Sequence, residues 1–248
     1  MASTLSGKQA VVTGASRGIG RAIALRLAHL GARVVIGYAT AKDRADAVVA
    51  DISASGGEAI AVAVDVSDPV QAARLIAAAQ ARGAIDILVN NAGIQRSALV
   101  HKMSDADWNE VLGVNLSGVF YTCRAALPAM LEKGRGHIIN VASASSFMAQ
   151  RGAASYAASK HGLIGLTKVL ALEAARAGVL VNAVAPGLTD TDLVRGLAPE
   201  AADRLAKIVP LGRIADPDEI ARMVAFVATE VTYSTGNVFH ASGGVVMA

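Results

Sequence analysis

A tyrosine and a lysine four residues apart are the side chains of this sequence with the clearest chemical potential. Tyr156 and Lys160 bound the segment Tyr-Ala-Ala-Ser-Lys, and Ser143 precedes it. Residues four apart share one face of a helix, so the lysine ammonium can approach the phenol. A phenol titrates near pH ~10, and a neighbouring cation lowers that pKa toward values useful in acid–base catalysis. With Ser143 at a strand end beside that helix, the pattern predicts a proton-transfer site. An exposed helical pair without chemistry is the alternative.

A glycine-rich segment near the start of the chain predicts a phosphate-binding loop. Residues 9–13 are predicted as a short buried strand, Gly14, Gly18 and Gly20 follow, and residues 21–30 have the apolar spacing of a helix. Such a strand–turn–helix unit aims free backbone N–H groups and the helix dipole at an anion. The spacing differs from the usual G-x-G-x-x-G fingerprint. A tight turn without a ligand is the alternative interpretation.

Strand-like and helix-like runs alternate along the whole chain, which is the pattern of a parallel sheet covered by helices. The sequence predicts an α/β fold, a doubly wound seven-stranded parallel sheet of Rossmann type, in a single domain of residues 1–248. Predicted strands span 9–13, 33–38, 59–65, 85–90, 137–142, 179–184 and 237–240. Predicted helices span 21–30, 41–55, 69–82 with Ser67 as N-cap, 105–133 with a distortion near Gly113 to Gly118, 153–177 and 217–228. Every motif falls at the carboxyl end of a strand or in the following helix, where such folds bind ligands.

These residues together resemble the short-chain dehydrogenase/reductase family over nearly the whole chain. The resemblance rests on segments 13–20 and 90–93, on Asp65 and Val66, on Pro186 and Gly187, and on four polar residues. Those four match the catalytic tetrad of the family: Asn115, Ser143, Tyr156 and Lys160. Within the family, segments 156–160, 162–168 and 181–187 look most like bacterial 3-oxoacyl-[acyl-carrier-protein] reductases.

The cofactor expected from these residues is NADP(H). NAD-selective sites usually carry an acid after the second strand, whereas residues 37–40 lack one and the next carboxylate is Asp43. Arg17, inside the glycine loop, is placed to pair with a 2′-phosphate, although a solvated loop charge is the alternative. The resemblance implies cofactor contacts from Gly14, Ser16, Arg17, Gly18, Ile19, Thr40, Asp65, Val66, Asn91, Ala92, Gly93, Tyr156, Lys160, Pro186, Gly187 and Thr189, with Thr191 as an alternative to Thr189.

The resemblance also assigns a role to each tetrad residue. Tyr156 donates the proton to a carbonyl that receives hydride, Lys160 stabilises the phenolate and holds the nicotinamide ribose, and Ser143 polarises the carbonyl. Asn115 helps to keep a water in a proton relay. The expected substrate contacts are Ser143, Ser145, Gln150 and Tyr156. The segment at about 187–216 interrupts the alternation for longest, and we expect it to be a substrate lid.

Three functions remain open at the level of the sequence. The first is reduction of a 3-oxoacyl thioester or similar β-keto substrate, with acyl carrier protein as a partner. Relatives that use this partner carry basic residues where this chain has Gly134 and Ala177, so a stand-alone ketone reductase or secondary alcohol dehydrogenase is the second. A non-catalytic NADP-binding regulator is the third, and the intact tetrad argues against it. By resemblance, the protein is a homotetramer joined through the helices at about 105–133 and 153–177.

Composition excludes several other classes. Hydrophobic residues make up 53% and charged residues 17% of the chain, which excludes disorder. The net charge of +3 arises from interspersed residues of both signs and predicts no nucleic-acid partner. No apolar stretch is long enough for a membrane span, the five histidines lack metal-ligand spacing, and no metal is expected. A single cysteine and the absence of a signal peptide predict a cytoplasmic location.

Overall fold

The strands form one parallel sheet. The computed structural model describes residues 4–192 and 206–247. Within these ranges, seven strands occur in the order β3-β2-β1-β4-β5-β6-β7. They are β1 (Gln9–Thr13), β2 (Arg33–Tyr38), β3 (Ala59–Ala63), β4 (Ile87–Asn90), β5 (Gly136–Val141), β6 (Val179–Pro186) and β7 (Val238–Ala241). All neighbouring strands run parallel, so the predicted doubly wound fold is confirmed.

The helices cover both faces of the sheet. They are α1 (Gly18–His29), α2 (Lys42–Ala54), α3 (Pro69–Gln80), α4 (Asp105–Leu112), α5 (Gly118–Lys133), α6 (Ala154–Ala174) and α7 (Pro217–Thr229). One buried cluster contains Ile23 of α1 together with Val12 of β1. The opposite cluster contains Leu163 of α6 together with Val11. Adjacent strand residues point to opposite faces, and because both faces are buried the strands are continuously apolar.

The N-terminus of α3 corrects one sequence-based prediction. Ser67 was expected as the N-cap, but the cap is Asp68, whose Oδ1 accepts hydrogen bonds from the N–H groups of Val70 at 2.8 Å and Gln71 at 3.3 Å. Pro69 takes the first helical position, which suits a residue without an N–H, so the cap must be the residue directly before it. The Ser67 N–H and hydroxyl instead donate to Asp65 Oδ1, at 2.9 and 2.7 Å.

The predicted distortion of the long helix is confirmed. A π-helical turn, Gly113–Ser117, separates α4 from α5. At its end, a Cβ atom built on Gly118 would lie 2.9 Å from Val66 Cγ2, so only glycine fits against the chain after β3. Asn115 sits in the middle of this turn and is fully buried. Such turns recur at functional sites because they redirect one side chain out of the regular helical order.

A carboxylate at the amino end of the sheet joins three basic side chains. Asp86 Oδ1 lies 2.6 Å from Lys133 Nζ, 3.5 Å from Lys8 Nζ and 3.8 Å from Arg135 Nε, while Oδ2 accepts the Gln9 N–H at 3.0 Å. Burial alone raises the pKa of Asp86, but the hydrogen bond from Lys133, the Gln9 N–H and the nearby charges lower it below its usual value. The ionised carboxylate therefore stabilises the fold.

Asp86→Asn is expected to lower the free energy of unfolding at pH 7 by about 1–3 kcal/mol, because a buried charged hydrogen bond is lost. A folded-state pKa below that of the unfolded chain stabilises the protein above about pH 4, and the contribution disappears as pH falls further. Urea unfolding at several pH values measures both effects. Asp46→Asn is the control, since Asp46 forms an exposed pair with Lys42. Equal losses in the two variants, or a difference that persists at acid pH, would contradict the assignment.

The described ranges lack two features that would bear on function. None of their helices combines the length and apolarity that a membrane span needs. Nor do those ranges bring three or more histidine, cysteine, aspartate or glutamate side chains together as a potential metal site.

Candidate active site

Four polar side chains from three elements converge beyond the carboxyl ends of β4 and β5. Tyr156 and Lys160 lie in the first turns of α6, Ser143 follows β5, and Asn115 projects from the π-helical turn. The Ser143 hydroxyl lies close enough to the Tyr156 phenol to lower its pKa, and Lys160 Nζ lies 5.8 Å from the centre of the Tyr156 ring. A Cβ atom built on Gly93 would lie 3.4 Å from Asn115 Oδ1 and 3.7 Å from Lys160 Nζ. The structure therefore brings together all four predicted tetrad residues.

The protonation of Tyr156 differs from the sequence-based expectation. Burial raises the pKa of the phenol above its ordinary value, and the hydrogen bond from Ser143 only partly opposes this. The net direction of the shift is therefore opposite to the lowering expected from the neighbouring Lys160. Burial penalises the phenolate, so the resting side chain is a neutral phenol. It is therefore a proton donor at neutral pH.

Lys160 is a buried cation held by the neighbouring strand. Its side chain is 4% exposed, and Nζ donates to the Val141 carbonyl at 2.7 Å. Burial lowers the pKa of this lysine to about 8. The ammonium form thus persists at neutral pH but is close to titrating. The carbonyl of the same residue accepts a hydrogen bond from Ser146 Oγ at 3.0 Å, which links the start of α6 to the loop after β5.

Asn115 connects the chain after β4 to α6. Its Oδ1 accepts the Ile94 N–H at 2.8 Å, while Nδ2 donates to the Ile94 carbonyl at 2.9 Å and to Ser159 Oγ at 3.1 Å. Ser159 Oγ in turn donates to the Tyr156 carbonyl at 2.7 Å. Asn115 therefore fixes the position of α6 next to the phenol. The sequence analysis did not assign a role to Ser159, although this polar residue lies between Tyr156 and Lys160 in the sequence.

A second polar network lies in the core beneath the tetrad. Asn90 Nδ2 donates to Asn140 Oδ1 at 2.9 Å, and Asn90 Oδ1 accepts from Thr122 Oγ1 at 2.7 Å. Asn140 Nδ2 donates to Thr167 Oγ1 at 2.9 Å. These contacts join β4 and β5 to α5 and α6, so the elements that carry the tetrad are held in fixed register. The sequence analysis missed this network, although asparagine is uncommon in strands.

The glycine loop is locked onto the end of β4. Thr13 Oγ1 accepts the N–H groups of Asn91 and Ala92, each at 3.0 Å, and Asn91 Nδ2 donates to the Thr13 carbonyl at 3.0 Å. A Cβ atom on Gly14 would lie 2.8 Å from Ala92 Cα, and one on Gly20 would clash with the Gly14 carbonyl. Both glycines are therefore required for the close approach of the loop to β4.

The N-terminus of α1 fits a phosphate group. Arg17 is the N-cap, and no side chain caps this helix. The first-turn N–H groups of α1 therefore lack a side-chain acceptor, and the helix dipole favours an anion at this end. The predicted cofactor residues Ser16, Gly18 and Ile19 flank Arg17 in the sequence. The residues present fit the pyrophosphate of a dinucleotide.

The other predicted cofactor residues lie along the same edge of the sheet. Thr40 is exposed after β2, and Val66 is buried after β3. Asp65 is exposed, with one carboxylate oxygen already bonded to Ser67. After β6 the backbone of Gly187 lies against Ser242, where a Cβ atom would come within 2.8 Å of Ser242 Cα.

Thr189 and Thr191, the two alternatives for a contact with the nicotinamide, make different contacts in the structure. Thr189 is 5% exposed and its hydroxyl donates to the Gly187 carbonyl at 3.1 Å. Thr191 is less buried, and its Cγ2 would lie 3.3 Å from a Cβ atom on Gly18. Thr191 is thus the threonine that contacts the glycine loop. The sequence alone did not distinguish it from Thr189.

The predicted substrate contacts are less closely grouped. The Ser145 N–H donates to Ser143 Oγ at 3.1 Å, which orients the Ser143 hydroxyl. Gln150 is exposed in the loop before α6. Residues 193–205 of the expected lid lie outside the described ranges. Of its remainder, Ile208 is 63% and Leu211 69% exposed.

A cleft of about 720 Å³ opens beside the glycine loop and the outer face of α1. None of the tetrad residues lines it; Arg17, Arg44, Thr191 and Asp192 do. Asp192 Oδ2 lies 3.3 Å from Arg17 Nη1 and 2.7 Å from Arg44 Nη1. Sequence analysis identified Arg17 alone of these charged residues, because the other two become its neighbours only through the fold.

Comparisons with known proteins agree with the observed fold. Residues 8–202 match the family model described as short chain dehydrogenase. The chain is 45% identical over 248 residues to a 3-oxoacyl-[acyl-carrier-protein] reductase of Synechocystis sp., covering 99% of each protein. A solved structure from Agrobacterium tumefaciens, described as a candidate gluconate dehydrogenase, has a TM-score of 0.94 at 35% identity over 98% of each chain. A candidate 2-deoxy-D-gluconate 3-dehydrogenase from the same organism, solved with NADP bound, has a TM-score of 0.89 at 39% identity over 97% of each chain.

Proposed function

The chain belongs to the short-chain dehydrogenase family of oxidoreductases, and we propose that it uses NADPH to reduce the ketone of a 3-oxoacyl thioester, or of a similar β-keto substrate, to a secondary alcohol. One observation carries the proposal: the Tyr156 phenol, the Ser143 hydroxyl and the Lys160 ammonium converge at the carboxyl end of β5. The substrate class is supported by the 45% identity to a 3-oxoacyl-[acyl-carrier-protein] reductase.

The side chains of this site divide the work of carbonyl reduction. When bound, NADPH supplies the hydride that reaches the carbonyl carbon. Ser143 donates a hydrogen bond to the carbonyl oxygen, and Tyr156 delivers the proton to that oxygen. The raised pKa of Tyr156 keeps the phenol protonated at neutral pH, and the protonated form is the one that donates a proton during reduction. Oxidation of the alcohol requires the phenolate as base, so it should gain rate as pH rises.

Lys160 and Asn115 support the proton transfer. The buried Lys160 ammonium offsets the negative charge left on Tyr156 after the proton has been given away, an effect that is large where water is excluded. Its position beside Gly93 also suits contact with the nicotinamide ribose. Asn115 acts through α6, which it holds by way of Ser159.

NADPH is the proposed cofactor because the residues after β2 offer no acid for an unmodified ribose, while Arg17 is exposed at the glycine loop. The fit of the α1 N-terminus to phosphate and the NADP-bound relative support this assignment. We expect kcat/KM with NADPH to exceed that with NADH. Comparable values for the two cofactors would overturn the assignment.

A second candidate function is favoured by a specific observation near α5 and α6. Gly134 and Ala177, where carrier-protein relatives carry basic side chains, are adjacent in space, since a Cβ atom on Gly134 would lie 3.9 Å from the Ala177 carbonyl. The neighbouring Lys133 is engaged with Asp86, which leaves the exposed Arg135 and Arg176 as the basic side chains beside these two positions. This surface therefore offers an acidic carrier protein less charge, which suits a stand-alone secondary alcohol dehydrogenase acting on a free ketone or a sugar acid.

One substrate panel tests these proposals. NADPH consumption is measured with an acetoacetyl thioester on acyl carrier protein, the same acyl group on a small thiol, a free β-ketoester and a keto sugar acid. A higher kcat/KM for the carrier-bound thioester than for the small thioester supports the carrier-protein partner. Equal values remove that partner, and activity on the free ketones alone favours the second candidate. A protein that binds NADPH but reduces none of them would contradict both candidate functions.

We also propose a homotetrameric, cytoplasmic enzyme. Phe120 on α5 is 42% exposed, and Val169 and Leu172 on α6 are 53% and 82% exposed. Apolar side chains grouped on neighbouring helices favour association with another copy. The buried free Cys123 is compatible with a reducing compartment. Light scattering during size-exclusion chromatography gives the mass directly, and a monomer at micromolar concentration would overturn this assembly.

A further inference from the structure

Two arginines from different elements converge on one carboxylate oxygen at the edge of the cleft. Arg17 is the N-cap of α1 and Arg44 lies in the first turn of α2. Their Nη1 atoms lie 3.3 and 2.7 Å from the same atom, Asp192 Oδ2. Both guanidinium groups therefore contact a negative charge at the same place.

The charges at this point are not balanced. Two arginines face one carboxylate, so one positive charge remains over. The hydrogen bond and charge of Arg44, with a smaller effect of Arg17, lower the pKa of Asp192, which keeps the carboxylate ionised at neutral pH. All three side chains are 47–64% exposed, and ion pairs between exposed side chains contribute little free energy. An anion with more charge and more oxygen atoms can therefore displace Asp192.

The place of this charge cluster in the fold indicates which anion. Arg17 follows β1 and Arg44 follows β2, and these two strands are hydrogen-bonded neighbours. In doubly wound folds the adenosine ribose lies beyond the carboxyl ends of these strands, with its 2′ substituent near the end of the second. The contact of Thr191 with Gly18 brings Asp192 to the same point.

We propose that Arg44, together with Arg17, binds the 2′-phosphate of NADP(H), and that Asp192 occupies both arginines when no phosphate is bound. The inference rests on the proposed function, since it takes NADPH as cofactor. A phosphate dianion offers three oxygens and can pair with both guanidinium groups at once. NADPH must displace Asp192, whereas NADH leaves the Asp192 contacts in place. Asp192 therefore weakens the binding of NADPH alone and limits the selectivity between the two cofactors.

Direct binding measurements on the full chain test the proposal without reliance on turnover. The Kd values of NADPH and NADH are determined by nicotinamide fluorescence. Arg44→Gln should raise the Kd of NADPH about tenfold or more, as expected for loss of a charge-assisted contact, and leave that of NADH unchanged. Asp192→Asn should lower the Kd of NADPH roughly two- to fivefold, the equivalent of one exposed ion pair, again without effect on NADH.

Arg21→Gln is the matched control for charge in the cleft. Arg21 lines the same cleft but pairs with Asp51, so its loss should leave the ratio of the two Kd values unchanged. The gain from Asp192→Asn should shrink in an Arg44→Gln background, because coupled residues are not additive. As a second readout, adenosine 2′-monophosphate should raise the Tm of the wild type more than that of Arg44→Gln, while adenosine 5′-monophosphate should not distinguish them.

The outcomes separate this inference from the function on which it rests. If Arg44→Gln changes the Kd values of NADPH and NADH equally, or changes neither, the 2′-phosphate site is overturned. Asp192→Asn that leaves NADPH binding unchanged overturns the competition. A wild-type chain that binds neither NADPH nor NADH overturns the proposed function itself. Because all three side chains are exposed, the variants should fold, and their melting curves check this.

Discussion

Tyr156→Phe is expected to lower kcat/KM for carbonyl reduction by about 10²–10⁴-fold, the usual contribution of general acid catalysis. The substitution removes one oxygen atom and keeps the ring that packs in the site. The carbonyl oxygen then receives its hydrogen bond from Ser143 but no proton. NADPH binding should stay close to that of the wild type, because the glycine loop and Arg17 lie on other elements.

Steady-state consumption of NADPH and a fluorescence titration of the same preparation measure the two expectations separately. Tyr233→Phe is the matched control, because Tyr233 is fully exposed and far from the tetrad in sequence. Wild-type turnover in Tyr156→Phe would disprove the assignment of the proton donor. A loss of NADPH binding as large as the loss of turnover would instead assign Tyr156 a role in holding the cofactor.

The sequence predicts the backbone of this protein closely because its signals are strong and local. The predicted strands 9–13 and 33–38 coincide with β1 and β2, since continuous apolar runs bounded by glycine leave few alternatives. The distortion near Gly113 was predictable because two glycines and a buried asparagine are poor helix formers. The tetrad followed from residue types at family spacing, and the structure brings those residues together.

What the sequence could not predict depends on contacts between distant elements. The direction of the Tyr156 pKa shift depends on how deeply α6 is buried and on where the Lys160 ammonium points, and neither is local information. The convergence of Arg17, Arg44 and Asp192 joins residues far apart in the chain. The cap of α3 was misassigned by one residue because Ser67 and Asp68 are both good capping residues, and only Pro69 decides between them.

Lys160 illustrates how this site exchanges stability for chemistry. A buried ammonium with its pKa lowered to about 8 destabilises the folded state at neutral pH, because folding removes the charge from water. The same burial strengthens its electrostatic effect on a phenolate. A residue that is unfavourable for folding and favourable for reaction is expected at an active site. The two effects can be separated by a neutral side chain of similar size.

Lys160→Met is therefore expected to abolish most turnover and to raise the free energy of unfolding at neutral pH. The pKa of Lys160 is lowered from the ordinary 10.5 to about 8 in the folded protein, and removing this penalty adds about 3 kcal/mol to the free energy of unfolding. Loss of the hydrogen bond to the Val141 carbonyl offsets about 1 kcal/mol of this, which leaves a gain of about 2 kcal/mol.

The pH dependence of that gain is the decisive test. Because the folded-state pKa is below the unfolded value, the wild type carries the full penalty below about pH 8 and loses it as pH rises toward 10.5. The stability advantage of Lys160→Met should therefore be constant from pH 6 to 7.5 and shrink above pH 8, as measured by urea unfolding without cofactor. Lys168→Met, at an exposed position of the same helix, should show no such dependence. A Lys160→Met protein less stable than the wild type at pH 7 would mean that the ammonium is well solvated or paired in the folded protein. Its burial would then not destabilise the fold, and the proposed link between that cost and stabilisation of the phenolate would be wrong.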